Sequence, residues 1–409
     1  MFFTMAPAGV ARLTSFFEQT IGQHLPRSEQ RASFAMYAFG LLSDGERKSV
    51  EPMAARACGD PDECRATEEQ LLHFVSKSPW KDHDVRREAA LYVTRVMGER
   101  EPVTTWIIDD TGFLKQGNHS VGVQRQYTGS AGKIANCQIG VSLTVATRTE
   151  HVPIDFALYL PKSWTDDPAR RQEARIPEEV TFKTKPELAL DLIARALDDE
   201  IPGDIVLVDS AYGDSSDFRN GVRVFGLDYG VAIHAPTKVW LVDSLNRRRG
   251  EALGVQQLGV DLGRRAFRRI TWREGTRPRK LASNFCFRRV KVVHEDGTEV
   301  ADREPLWLMM EWPEGESKPT KFVLTTLPRR MSKKEIVRTV KERWRTERAY
   351  EELKGELGLD HFEGRSFPGW HHHVSVVLAC YAFVVSERVR AFSPSTRRRR
   401  RTGPLPVAA

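Results

Sequence analysis

Two adjacent carboxylates, Asp109 and Asp110, follow a run of strand-forming residues, Thr105, Trp106, Ile107 and Ile108. A short apolar run of this kind reads as a buried strand. Burying it carries the acids to the strand's end, where a sheet opens to solvent. Folding alone explains such acids poorly, because an unpaired buried charge is costly; the plainer alternative is an Asp that caps a turn with Thr111 and Gly112. A second strand pattern, Ile205 to Val208, again ends in an acid, Asp209. Farther on, Arg343, Glu347 and Lys354 lie in a helical pattern. At ~100° per residue the last two fall within about 20° on one face, with Arg343 one turn earlier. As a bare surface pair, Arg343 and Glu347 would contribute only ~0.3–0.5 kcal/mol. An acid framed by two cations makes chemical sense if the acid holds a metal and the cations hold the phosphates that the metal also touches. Two strand-end aspartates and a helix glutamate are hard oxygen donors, which suit Mg²⁺ or Mn²⁺. Two such ions about 4 Å apart would activate a water and stabilise the leaving 3′ oxygen of a phosphodiester.

The elements that must position these groups can be read in order. Residues 1–100 carry helical patterns broken at Ser43-Asp44-Gly45 and punctuated by Pro52, Pro61 and Pro79. This predicts a helical N-terminal domain that can bind DNA, with Arg47 and Lys48 just after the turn. Residues 101–235 predict the first part of a catalytic domain: the strand before Asp109, a Gly-rich loop from Gly112 to Ala135, strands at Cys137–Ala146 and Val152–Leu160, a helix at Lys185–Glu200, a strand to Asp209, a helix at Ser216–Val224 and a strand at Tyr229–His234. The order β-β-β-α-β-α-β is that of a ribonuclease H-like fold, an α/β mixed sheet flanked by helices. Residues 236–330 read as a β-rich basic insertion, with a hairpin signal at Asp296-Gly297. Residues 331–390 follow as one long helix from the capping box at Ser332–Glu335 to about Glu356, then an apolar helix from His371 to Arg390. Residues 391–409 read as a disordered basic tail.

Charge is distributed in patches. The net charge is +7, and the run Arg397–Arg401 supplies five of it. Between Arg247 and Lys280 there are eleven Lys and Arg against three acids, and between Asp110 and Glu150 there is no acid at all. Such patches are the electrostatic footprint of a polyanion, so Lys115, Arg125 and Lys133, and Arg264, Arg265, Arg268 and Arg269, are candidate DNA contacts together with Arg343 and Lys354. The five scattered cysteines form no C-x-x-C pair, which argues against a disulfide framework or zinc cluster and for a reducing, cytoplasmic, nucleoid-associated location. No apolar run is long enough for a bilayer, and Met1-Phe2-Phe3 lacks the charged flank and core of a signal peptide. Thr128–Lys133 lacks the first Gly of a phosphate loop. His371-His372-His373 point in different directions on a helix, so a helix-start or DNA-facing role is preferred over zinc.

Together, D-D-T-G at Asp109, V-L-V-D-S-A-Y-G around Asp209 and E-R-W-R-T-E-R-A-Y-E-E-L-K-G-E-L-G-L-D ending at Asp360 resemble insertion-sequence transposases of the DDE type. The branch is the one with a Y-R-E-K third motif. Arg343, Glu347 and Lys354 fit its spacing; Val340 stands where the Tyr is expected. The resemblance implies Asp110, Asp209 and Glu347 as catalytic, metal-binding residues, with Asp109 the alternative to Asp110. It also implies Mg²⁺ (or Mn²⁺), double-stranded DNA carrying terminal inverted repeats, target DNA, a homodimer in a synaptic complex and cut-and-paste transposition. The rival expectations are a metal-dependent nuclease of the same fold without strand transfer and a catalytically silent DNA-binding regulator.

Overall fold

The computed structural model describes residues 7–273, 281–293 and 304–391. The Asp296-Gly297 hairpin signal, the end of the basic segment at Lys280 and the Arg397–Arg401 tail lie outside the described residues.

The first six strands are β1 (Thr105–Leu114), β2 (Gln124–Thr128), β3 (Lys133–Ala146), β4 (His151–Tyr159), β5 (Ile205–Val208) and β6 (Asp228–Ile233). β3 pairs antiparallel with both β1 and β4, whereas β1–β5 and β5–β6 are parallel. The spatial order β4-β3-β1-β5-β6 with these directions is ribonuclease H-like, as the element order predicts. The crossover helices are Lys185–Asp198, between β4 and β5, and Ser216–Val224, between β5 and β6. The first opens with a reciprocal capping box between Thr184 and Glu187, which satisfies two otherwise orphaned N–H groups. It buries Leu192 and Ile193 in the core.

The segment expected as a loop between Gly112 and Ala135 instead contains a hairpin. β2 pairs with an early start of β3, Gln124 opposite Cys137 through Thr128 opposite Lys133. The weak apolar alternation of Gln124-Arg125-Gln126-Tyr127 hides this strand, in which Thr128 is buried and the others are half-buried or exposed.

Six further strands follow: β7 (Lys238–Val242), β8 (Arg248–Gly254), β9 (Arg268–Arg273), β10 (Leu281–Val292), β11 (Leu306–Trp312) and β12 (Lys321–Thr325). β12 returns to pair antiparallel with β6, Phe322–Thr325 against Ile233–Gly230. The insertion is therefore continuous with the catalytic sheet, which has twelve strands among the described residues.

The helices Ser28–Leu42, Pro61–Ser76 and Asp82–Gly98 pack on the C-terminal helix Phe367–Ala391. Phe34, Tyr37, Phe74, Val85 and Val93 meet Val374, Val377 and Phe383 in one buried cluster; fully burying an apolar side chain of this size stabilises by roughly 1.5–3 kcal/mol. Buried Arg86 ties this bundle to the sheet through Asp155 of β4, 2.8 Å away.

The three histidines do not form a surface cluster: His371 is half-buried. His372 and His373 are buried. His372 lies against the Val75 and Trp80 carbonyls at 2.9 and 3.0 Å. His373 bridges the Tyr37 hydroxyl and the Gly358 carbonyl. Burial holds all three imidazoles below the usual histidine range, so they are neutral core groups. Lys48 likewise turns inward, its backbone N–H donating to His361 Nδ1, whereas Arg47 stays exposed and pairs with exposed Glu363.

The expected long helix is two helices, Lys333–Val340 and Trp344–Leu357, joined by a 3₁₀ turn at Lys341–Arg343. The flanking cations of this turn are held by acids from different strands. Lys341 pairs with Glu311 of β11, and Arg343 pairs with Asp109 of β1. The second helix stops at Gly358, whose φ of 63° is the left-handed conformation that glycine adopts without steric cost.

Candidate active site

β1 does not end at its acids. It pairs with β3 along its whole length, Thr105 to Leu114, but with β5 only from Thr105 to Ile107. Asp109 and Asp110 thus sit in mid-strand at the point where the neighbouring parallel strand leaves. β5 stops at Val208, and Asp209 caps the short helix Ser210–Gly213, accepting from the Ala211 N–H at 2.9 Å. All three aspartates lie in the crevice at the carboxyl ends of the parallel strands, where α/β sheets place ligands.

Adjacent strand residues face opposite sides, and the two acids differ accordingly. Asp109 is buried and its Oδ2 accepts from Arg343 Nη1 at 2.9 Å. Arg343 Nη2 also donates to Glu347 Oε1 at 3.1 Å. Asp110 instead accepts from Lys185 Nζ at 3.0 Å and the Tyr212 hydroxyl at 3.2 Å. Asp109, the alternative left open by the sequence, shares a cation with Glu347, whereas the preferred Asp110 lies on the Lys185 and Tyr212 side and adds its charge to the burial that raises the Asp209 pKa. Opposite Asp109 in the register is Ser142, whose hydroxyl bonds that of buried Tyr350 at 2.6 Å. This contact seats the Trp344–Leu357 helix over the Asp109 face.

Negative charge in the crevice is only partly neutralised. Burial pushes the Asp109 carboxyl up to about 7; Arg343 opposes the shift, and Asp209 reinforces it. Burial also raises Asp209 above the usual carboxylate range, again against the pull of Arg343. Tyr212 and Tyr350 are held neutral, chiefly by burial, with the aspartates adding to the shift.

A family profile described as "DDE superfamily endonuclease" matches residues 20–279, and one described as "Transposase DDE domain" matches residues 181–383. The chain belongs to the DDE superfamily endonucleases. Kinship with insertion-sequence transposases is borne out as well: a probable transposase for insertion sequence element IS701 from Microchaete diplosiphon is 29% identical over 204 residues. That match covers 50% of this chain and 49% of the relative, so the chain spans about half the length of the curated relative it matches. Among solved structures, the piggyBac transposase synaptic complex with hairpin DNA overlaps 98% of this chain and 80% of its own, with TM-score 0.43 and 10% identity. The ribonuclease H-like assignment rests on strand order and direction, not on that overlap.

DDE endonucleases are expected to use a divalent cation. Among the described residues no three acids stand close enough to hold one together. The donor chemistry nevertheless fits: Asp109 and Glu347 are oxygen ligands already sharing one positive group, Arg343, and Asp209 adds a third carboxylate beside it. Lys354 reaches β1 from the same helix as Glu347. Its ammonium donates to the Gly112 carbonyl at 2.7 Å and lies 3.3 Å from Ser130 Oγ.

Ser130, Lys185 and Tyr212 were not singled out in the sequence as site residues. Ser130 lies in the declined phosphate-loop segment, which forms the β2–β3 turn and folds back on β1 through Thr111 and the Gly112 N–H. A Cβ on Gly112 would lie 2.1 Å from Thr128 Oγ1, so only glycine allows this approach. Tyr212 was legible as the third residue after Asp209; Lys185 carried no signal beyond its place at the helix start. Of the other candidate contacts, Arg125, Lys133, Arg264, Arg265, Arg268 and Arg269 are exposed, whereas Lys115 donates to the Phe362 carbonyl and packs the loop after Gly358. No helix among the described residues is long and apolar enough to cross a membrane.

Proposed function

We propose that this protein is a DNA transposase: it cleaves element ends at terminal inverted repeats and joins the freed 3′ ends to target DNA. The observation that carries the reading is the Arg343 guanidinium shared between Asp109 of the central strand and Glu347 of the last catalytic helix, with Asp209 beside them. Asp109, Asp209 and Glu347 would hold the divalent cation, Mg²⁺ or Mn²⁺, which supplies water activation and neutralisation of the departing oxygen. Arg343 donates through two nitrogens in a fixed fork, the geometry that also grips phosphate. With the carboxylates engaged elsewhere, that fork and the Lys354 ammonium place the scissile phosphate against the acids. In cleavage a water oxygen bonds to phosphorus, the P–O3′ bond breaks and the 3′ oxygen leaves with a proton. In joining, that 3′ hydroxyl attacks a target phosphodiester, so one phosphodiester replaces another and no further energy source is needed. Two copies of the chain would act together on paired ends.

The test is an assay of end cleavage and strand transfer on DNA carrying the element termini. Cleavage should need Mg²⁺ or Mn²⁺, be poorly supported by Ca²⁺ and disappear in EDTA. Glu347→Gln, at an exposed position, should melt like the wild type, bind the termini and cut nothing. Glu351→Gln, exposed and paired only with Arg348, should cut normally. Cleavage without joined products would favour a simple nuclease; full activity of Glu347→Gln would remove the basis of the reading.

A further inference from the structure

A cavity of about 680 Å³ lies between the Ser216–Val224 helix, the start of β6, β10 and the turn after β12. It shares no residue with the acidic crevice. Five cations line it, Arg219, Arg223, Arg289, Lys291 and Arg329, against one acid, Glu304. Three of the five are already engaged: Arg223 pairs with Asp228 at 2.8 Å, Arg219 donates to the Gly213 and Asp214 carbonyls, and Lys291 has a partner of its own. Among the described residues, Arg329 meets a neutral acceptor, Asn246 Oδ1 at 3.3 Å. Arg289 is the most telling. Its Nε is buried with no hydrogen-bond partner among the described residues, and its guanidinium lies 5.1 Å from the centre of the Trp307 ring. Lys333 stands over the other reach of the same ring, 2.9 Å from its centre.

Gathering cations where some of their polar atoms find no partner is costly unless an anion completes them. Burial and the neighbouring Arg329 lower the Arg289 pKa, and burial with both arginines brings Lys333 down to about 8. Two guanidinium groups from different strands and turns suit an anion with several acceptor oxygens, which is phosphate chemistry. The volume is that of a small-ligand site and exceeds a lone inorganic ion.

We propose that Arg289 and Arg329 form a second phosphate-binding site, separate from the acidic crevice, that takes a backbone phosphate of bound DNA. The choice of DNA over a free nucleotide rests on the transposase reading; the phosphate site itself does not.

The test compares the full chain with Arg289→Gln/Arg329→Gln and with the milder Arg329→Gln, each checked for an unchanged circular dichroism spectrum. Binding of pyrophosphate, dATP and terminal-repeat duplex is followed by tryptophan fluorescence or calorimetry. The wild type should bind pyrophosphate saturably, the double variant at least about tenfold more weakly, and the single variant in between. The slope of log K against log salt for the duplex should flatten by up to about two units in the double variant. Equal pyrophosphate binding by wild type and variants would overturn the site. Loss of pyrophosphate and dATP binding with an unchanged DNA slope would overturn DNA as the source. A wild type that binds no DNA would sink the transposase reading, while the pyrophosphate arm would still decide the pocket.

Discussion

Arg343 Nη1 stands 2.9 Å from Asp109 Oδ2, joining the central strand to a helix 234 residues later in the chain. The same side chain holds Glu347. One guanidinium thus holds the Asp109 and Glu347 carboxylates together, and an ion bound between those two would have to displace it. Arg343 can therefore serve two partners in succession, acids first and phosphate afterwards.

Asp109 and Asp110 should separate cleanly. Asp109→Asn removes the acid shared with Arg343 and should abolish cleavage while preserving binding to element ends. Asp110→Asn leaves Lys185 and Tyr212 with a neutral partner; it should lower the melting temperature yet keep cleavage within about tenfold, or ~1.4 kcal/mol. Nicking assays and thermal melts on the two variants decide this. A dead Asp110→Asn beside an active Asp109→Asn would reverse the assignment.

Stability should depend on pH through Asp109. Its carboxyl is raised to about 7 in the folded protein, against about 4 in an unfolded chain. The folded state thus keeps a proton that the unfolded chain releases. The stability linked to it is fully present below about pH 4 and is lost as the pH rises through about 7. Asp109→Asn should flatten that fall, and its melting temperature relative to wild type should climb across the interval. Mg²⁺ should stabilise the wild type more above about pH 7 than below it, because proton and cation compete. Parallel melting curves for the two proteins over that range would contradict the shift.

Glu352→Gln should injure the fold rather than the chemistry. Glu352 accepts from the Tyr381 hydroxyl at 2.7 Å and pairs with Arg388 and Arg348. Losing its charge should cost about 1–3 kcal/mol, read by chemical denaturation, with cleavage retained at temperatures where the variant is folded.

The arginines on the outer edge of the insertion are a separate matter. Arg264 stacks on Trp312 at 4.6 Å, and Arg269 faces exposed Glu314 at 3.6 Å. If Arg264, Arg265, Arg268 and Arg269 all contact backbone phosphates, replacing the four with Gln should flatten the salt dependence of DNA binding by up to about four units. An unchanged slope would place them in solvent.

Much of the catalytic frame was legible because its strands are unusually apolar. Ile205–Val208 and Thr105–Ile108 read as strands, and the helix predicted at Lys185–Glu200 announces itself with apolar residues at helical spacing. The choice between Asp109 and Asp110 was not legible: both precede the same turn-like Thr-Gly, and only the direction of the partner helix distinguishes the faces. β2 was missed because an exposed strand carries no apolar alternation. The break at Lys341–Arg343 was missed because ion pairs with Glu311 and Asp109, distant in sequence, accompany it, while the local sequence favours an unbroken helix. The histidines were misplaced for a related reason: polar residues are buried there through hydrogen bonds to carbonyls of other elements.

The pairing of β12 with β6 has a mechanical consequence. Four residue pairs stitch the insertion to the strand next to β5, so the basic edge cannot swing on a hinge without tearing backbone hydrogen bonds. The spacing between the outer arginines and the carboxylates is set like the marks on a ruler. Under the transposase reading, a duplex that touched both would have to conform to that fixed spacing, and its own flexibility would then enter into which sequences are accepted.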